Sequence, residues 1–187
     1  AGFATDLGRA VGRLPVEADW ARVIALAPVE LRPDLCDLYA ISSARRGLAL
    51  PQADQEQVEL RKKELGEDPW RRCISSMRFG HPQRHALDGE ALDEARRLAR
   101  DLREALGVPE APERGTAHGD LRSYLARAWP ERHFVRRATR DAWGNGQVEC
   151  RLARGEELAE DCVAATILQI EPVVARGLKV ELRGRWA

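Results

Sequence analysis

The chain has 187 residues, with 30 basic and 30 acidic side chains, no net charge, 44% hydrophobic and 32% charged residues. This is the composition of a soluble globular protein, long enough to bury roughly 70% of its unfolded surface. A chain without an overall field holds a polyanion only through a local patch, and no apolar run approaches the roughly 18 residues of a membrane span.

The amino terminus opens on Ala1 without the basic start and apolar core of a secretion signal, and is read as processed or cut. Lys62, Lys63 and Lys179 are the only lysines, so the basic chemistry is that of arginine; the bias accompanies abundant alanine and suits a GC-rich genome. Cys36, Cys73, Cys150 and Cys162 are scattered without a CxxC or CxxH pair, which gives no zinc-ligand spacing. Free thiols fit a reducing, cytoplasmic setting.

In chain order, Thr5 to Leu14 predicts a short helix with Thr5 as N-cap, ended by Pro15. Asp19 is expected to cap a helix from Trp20 to Ala27. A third runs from Pro33 to about Arg46, with Gly47 closing it and LALPQAD as a turn. Gln55 to Leu65 is polar and helix-prone, stopped by Gly66. Asp68 and Pro69 open a helix with Trp70, Ile74 and Met77 inward. GHPQRHALDG reads as a loop or a broken helix end. Glu90 to Leu106 carries the clearest helical stripe, Leu92, Ala95, Leu98, Ala99, Leu102 and Leu106, stopped by Gly107.

Residues 111–119, within the Pro- and Gly-rich stretch VPEAPERGTAHG, read as a linker between a helical domain over 1–110 and a β domain over 120–187. Leu121 to Trp129 predicts a helix ended by Pro130. HFVRRA, QVECRL, VAATILQI and LKVEL then read as strands, separated by WGNG, ARGEE, EP and ARG. Asn145-Gly146 marks a hairpin turn. The fold class is α+β: a helical bundle followed by a small β domain of three to five strands.

No catalytic constellation is present. The phosphate loop, GxGxxG after a strand, GxSxG and HExxH are all missing. His81 and His85 have a four-residue spacing suited to two ligands on one helical face, but Pro82 breaks the helix and the pair reads as a solvated loop. His118 with Asp120 reads as a loop pair without function.

Binding chemistry is concentrated between Leu121 and Arg154. Arg122, Arg127, Arg132, His133, Arg136, Arg137, Arg140, Arg151 and Arg154 face only Asp120, Glu131, Asp141 and Glu149, with Trp129, Phe134 and Trp143 interleaved. Arginine forks match phosphate oxygens and exposed aromatics stack on unpaired bases. The bland alternative is that Trp129 and Phe134 are core, and that the arginines pair with Glu156, Glu157, Glu160 and Asp161. Trp143, in a Gly/Asn turn, is expected to be the exposed aromatic.

The opening T-x-L-G-R, with Leu14-Pro15 following, resembles the junction at which DEAH-box helicases leave the winged helix and enter the helicase-associated, or ratchet, domain. Thr5, Leu7, Gly8, Arg9, Leu14 and Pro15 stand at the matching places. Leu35-Cys36-Asp37-Leu38 and ARRLARDLREALGVP resemble the rest of that domain. YLARAWPERHFVRR resembles the passage that opens the oligonucleotide/oligosaccharide-binding (OB) region in bacterial HrpB-type members, with WGNGQVECRL as its first hairpin. The resemblance implies a non-catalytic C-terminal portion of an ATP-dependent helicase, with an OB-like β domain. The ATPase core, with its ATP and magnesium, would belong elsewhere in a parent chain; no cofactor is expected here. It further implies contact with single-stranded RNA or DNA, with those core domains as partners and no membrane. Arg132, Arg136, Arg137, Arg140 and Trp143 are the expected contacts. The alternative is a protein-interaction module whose helical face docks on another polypeptide; a free-standing enzyme has little support.

Overall fold

Helices come first and strands second, as the two periodicities predict, and the fold is mixed α+β. The computed structural model describes residue 12 and residues 16–44, 47–50, 52–108, 118–152, 162–174 and 180–186. The expected helix over Thr5–Leu14, with the residues of the opening junction, lies outside them, as do Arg45, Arg46 and most of the linker. The chain divides into two compact units, Ala1–Tyr124 and Leu125–Ala187.

Six α-helices occur among the described residues. The first, α1, spans Ala18–Leu26 and buries Trp20, Ala21, Val23 and Ile24. Asp19 is not its cap as expected; it sits in the first turn, where a carboxylate complements the helix dipole. Arg32 closes the other end, donating Nε–H to the Ala27 carbonyl at 3.0 Å and Nη2–H to that of Ala25 at 3.1 Å. Helix α2, Arg32–Ser43, stops three residues earlier than its pattern predicts. The Ser42 hydroxyl turns back onto the Tyr39 carbonyl at 2.9 Å, a local bond that competes with helix continuation.

The next three helices carry their own start signals. Helix α3, Gln55–Leu65, opens on a reciprocal capping box between Asp54 and Gln57, and Gly66 ends it at φ 117°. Helix α4, Pro69–Phe79, is capped by Asp68, which accepts the Arg71 amide at 3.0 Å; Ile74 and Met77 are buried as predicted. Helix α5, Gly89–Leu106, is capped by Asp88 and ends at Gly107 in the left-handed region. Ala91, Ala95 and Ala99 recur every four residues on α5. With Leu92 they form one buried cluster with Ala40, Leu48, Met77 and Leu87. Small side chains at this spacing let helix backbones approach closely.

Two polar assemblies are built into the helical unit. Asp34 and Asp37, one turn apart on α2, are fully buried. Arg78 from α4 reaches both, and Arg103 from α5 reaches Asp37. Burial pushes the Asp37 carboxyl above the usual range, against the pull of the two guanidinium groups. The second assembly lies in the loop over residues 80–89, which is present as predicted, and corrects the expectation that its histidine pair is solvated. His85 is buried: its Nδ1 accepts the His81 amide at 3.0 Å, which places the ring proton on Nε2, and Nε2 donates to Glu64 at 2.8 Å. Glu64 also receives Arg84, and the arginine and then the histidine hold its carboxyl below the usual range. Backbone bonds from Leu50 to Ala86 and from Asp88 to Leu48, both 2.9 Å, fasten this segment to residues 48–50.

Helix α6, His118–Ala128, leads to a 3-10 turn, Pro130–Arg132. Five strands follow among the described residues: β1 His133–Arg136, β2 Trp143–Gly144, β3 Glu149–Leu152, β4 Ala164–Val174 and β5 Val180–Trp186. They pair in the cyclic order β1-β2-β3-β5-β4, with β4 returning to β1, and close a barrel. All neighbours are antiparallel except β3 and β5. The Asn145-Gly146 turn is present: Asn145 Oδ1 accepts the amides of Gln147 at 3.0 Å and Val148 at 2.9 Å, with Gly146 at φ 91°. Glu171-Pro172, read as a break between strands, instead lies inside β4, opposite Leu182 of β5. Among the described residues β1 pairs β4 only at Ala164–Thr166, away from Pro172, and proline within a sheet is confined to places where its missing amide donor is not needed. Phe134, Trp143, Cys150 and Ile167 fill the interior.

Candidate nucleic-acid interface

Alternation along the short strands decides which side chains of the barrel meet water. Phe134 points inward from β1 while its neighbour Val135 is 56% exposed; Cys150 points inward from β3 while Glu149 and Arg151 face out. Trp143, expected to be exposed, is the clearest correction. It lies on β2 opposite Cys150 and is only 2% exposed. The Gly/Asn pair signals the hairpin, but the turn begins after Gly144, so Trp143 belongs to the strand and its ring completes the core. Trp129 and Phe134 are fully buried too, as the bland alternative had it.

Four of the five expected contacts are arginines, and the structure places them differently. The Arg132 guanidinium carbon lies 4.8 Å from the centroid of the Trp129 ring, a cation–π arrangement that orients the side chain. Arg136 is exposed at the end of β1, its amide bonded to the Val163 carbonyl at 2.9 Å. Arg137 and Arg140 converge. Arg137 donates Nε–H to Oε1 of Glu149 at 3.0 Å, and Arg140 donates Nη2–H to the same oxygen. Glu149 is one of the four acidic residues set against the arginines in the sequence; the acidic run at 156–161 lies outside the described residues. Arg151, exposed on β3, has Arg183 as its register partner on β5. Arg122 does not contribute to the barrel; it pairs with Asp68 in the helical unit.

Two residues of this site carry no strong signal in the sequence. Gly144 is one: a Cβ built there would lie 2.4 Å from Nη2 and 2.8 Å from Cζ of Arg137, so the guanidinium rests where a side chain would otherwise be. Glu149 is the other, directly opposite Gly144 across the β2–β3 ladder. Only the pairing register brings a residue from each of three segments to one spot. Asn145 steadies the rim by donating Nδ2–H to the Glu131 carbonyl at 2.7 Å.

Among the described residues, the remaining candidates assemble no second site. Among the described residues, no group of three or more His, Cys, Asp or Glu is placed to hold a metal ion, His81 and His85 included. Burial pushes the Cys36 thiol up to about 12 and that of Cys150 to about 11, far from the thiolate state a nucleophile needs. No described helix is long and apolar enough to cross a membrane. No family model matches the chain, and no curated protein matches it significantly. The functional reading therefore rests on the residues themselves: a small barrel carrying Arg132, Arg136, Arg137 and Arg140 on one continuous stretch of chain.

Proposed function

We propose that this chain is a non-catalytic accessory portion of an ATP-dependent DEAH-box helicase, contacting and guiding single-stranded RNA or DNA beside an ATPase core carried elsewhere in the parent protein. The barrel is read as OB-like. Its cyclic strand order, with one parallel pair closing an otherwise antiparallel sheet, supports that reading, because a five-stranded Greek-key barrel is the form that OB folds use to hold oligonucleotides. The helical unit is read as ratchet-like on the resemblance of its sequence.

The observation that carries the reading is the exposed Arg136, Arg137 and Arg140 group at the end of β1 and in the loop to β2. Planar guanidinium groups engage phosphate oxygens in pairs. Trp143 leaves the set of contacts, since a buried ring offers no face to a base. Fluorescence anisotropy with labelled single-stranded RNA and DNA tests the proposal. Each phosphate contact on a single strand contributes about −0.7 to the slope of log K against log salt, so three or four arginines give a slope of about −2 to −3. Replacing Arg136 and Arg137 together by alanine should weaken binding and flatten that slope; unchanged affinity removes these residues from the interface.

The docking alternative has its own observation. On the helical unit, Leu26, Val29 and Phe79 leave apolar surface in water, at 55%, 57% and 48% exposure. A chain without affinity for any oligonucleotide at low salt would transfer the function to that apolar surface.

A further inference from the structure

Arg137 and Arg140 are charged groups already gathered, and what gathers them is a carboxylate. Both donate to one oxygen, Oε1 of Glu149. The three side chains remain 40%, 62% and 36% exposed. Ion pairs in that much water are individually weak, so this one is easily exchanged for another anion. A phosphodiester offers two non-bridging oxygens where Glu149 offers one to both arginines, and it suits the paired geometry of guanidinium better. Gly144 fixes the floor of the fork, since the guanidinium of Arg137 occupies the space a Cβ would take.

We infer that Arg137 and Arg140 form a phosphate subsite on the barrel, and that Glu149 is its built-in competitor, occupying the fork until a backbone phosphate of the bound strand displaces it. The inference rests on the nucleic-acid reading above and adds a regulatory element to it. Glu149 preorganises the two arginines and keeps them from holding a strand too tightly, a useful property on a surface along which a strand must slide.

The test is a titration of the chain into a fluorescein-labelled oligouridine of about 12 nucleotides, within the span that one OB fold covers, at low salt. Glu149→Gln should tighten binding by about two- to tenfold, the range set by exposed ion pairs. Asp141→Asn removes an equal charge from the β1–β2 loop that carries Arg137 and Arg140, where Asp141 is exposed, without touching the fork; it should give less than half of that gain. Gly144→Ala requires only the mobile end of Arg137 to move and should weaken binding about two- to fivefold while leaving the thermal transition in place. Equal or weaker binding by Glu149→Gln, with the wild type binding, overturns the competitor while the nucleic-acid reading stands. An equal gain from Asp141→Asn does the same, because the effect is then general charge. If neither the wild type nor Glu149→Gln binds, the reading itself fails and the inference falls with it. Should Glu149→Gln fail to fold, the Gly144→Ala result decides: unchanged affinity removes the subsite.

Discussion

In the helical unit, Asp34 and Asp37 lie fully buried under Arg78 and Arg103; on the barrel, Glu149 holds Arg137 and Arg140 with a third or more of each side chain in water. The pairing chemistry is the same and the physical situation is opposite. In the first case water cannot replace a lost partner, so each group is committed to the other and the assembly locks three helices in one arrangement. In the second, water or another anion replaces the partner at little cost. Burial, not the identity of the pair, separates a structural ion network from an exchangeable one. The Glu64 assembly lies between them, joining buried His85 to a carboxylate 30% exposed.

The largest effect is expected from Arg78→Met. It removes the guanidinium that Asp34 and Asp37 share, and breaking a buried pair from one side costs about 3–5 kcal/mol. Urea denaturation reads this directly. Because burial already raises the Asp37 carboxyl above 3.8, losing Arg78 raises it further. A carboxyl whose folded pKa lies above its unfolded value is relatively stabilised at low pH and loses that advantage as pH rises through the folded value. The deficit should therefore shrink on acidification. A loss under about 1 kcal/mol at neutral pH would mean the network behaves like a surface pair, and the comparison breaks.

Much of the helical unit was legible because each element states its own start and stop. Asp54, Asp68 and Asp88 cap, Gly66 and Gly107 terminate, and α5 has an unbroken stripe. What was not legible depends on partners distant in sequence. Arg78 and Arg103 stand 41 and 66 residues from Asp37, and nothing local marks that aspartate as buried. His85 reads as loop because its neighbours are polar, while its burial comes from Glu64 and the bridge between Ala49 and Leu87. On the barrel, the hairpin at Asn145-Gly146 is a local signal. Whether Trp143 faces inward or outward depends on where the turn begins, and a one-residue difference reverses the face. The arginines at 136, 137 and 140 were visible as a group, but the fork was not: it needs the β2–β3 register.

An intermediate effect is expected at Glu64. Arg84 and then His85 hold its carboxyl below the usual carboxylate range. A lowered carboxyl contributes stability that is fully present above the unfolded value and is lost as pH falls through the folded one. The contribution therefore disappears on the acid side of the usual carboxylate range. Glu64→Gln should be less stable than wild type at neutral pH, and the two should converge under acid, as followed by denaturant midpoints across that range. A difference independent of pH would mean that the carboxylate charge does not matter and that the side chain acts only as a spacer for His85.

The smallest effect on stability, and the sharpest test of the comparison, is Arg137→Met. The side chain is 40% exposed and its partner keeps Arg140. Exposed pairs contribute roughly 0.2–1 kcal/mol, so the urea midpoint should move by no more than about a third of the Arg78→Met shift, while affinity for an oligonucleotide falls and the salt slope loses about 0.7. The two methionine variants thus exchange roles, one changing stability and the other changing binding. If Arg137→Met destabilised the barrel as Arg78→Met destabilises the bundle, the guanidinium lying over Gly144 would be part of the core packing, and Glu149 would be a structural partner with nothing to release.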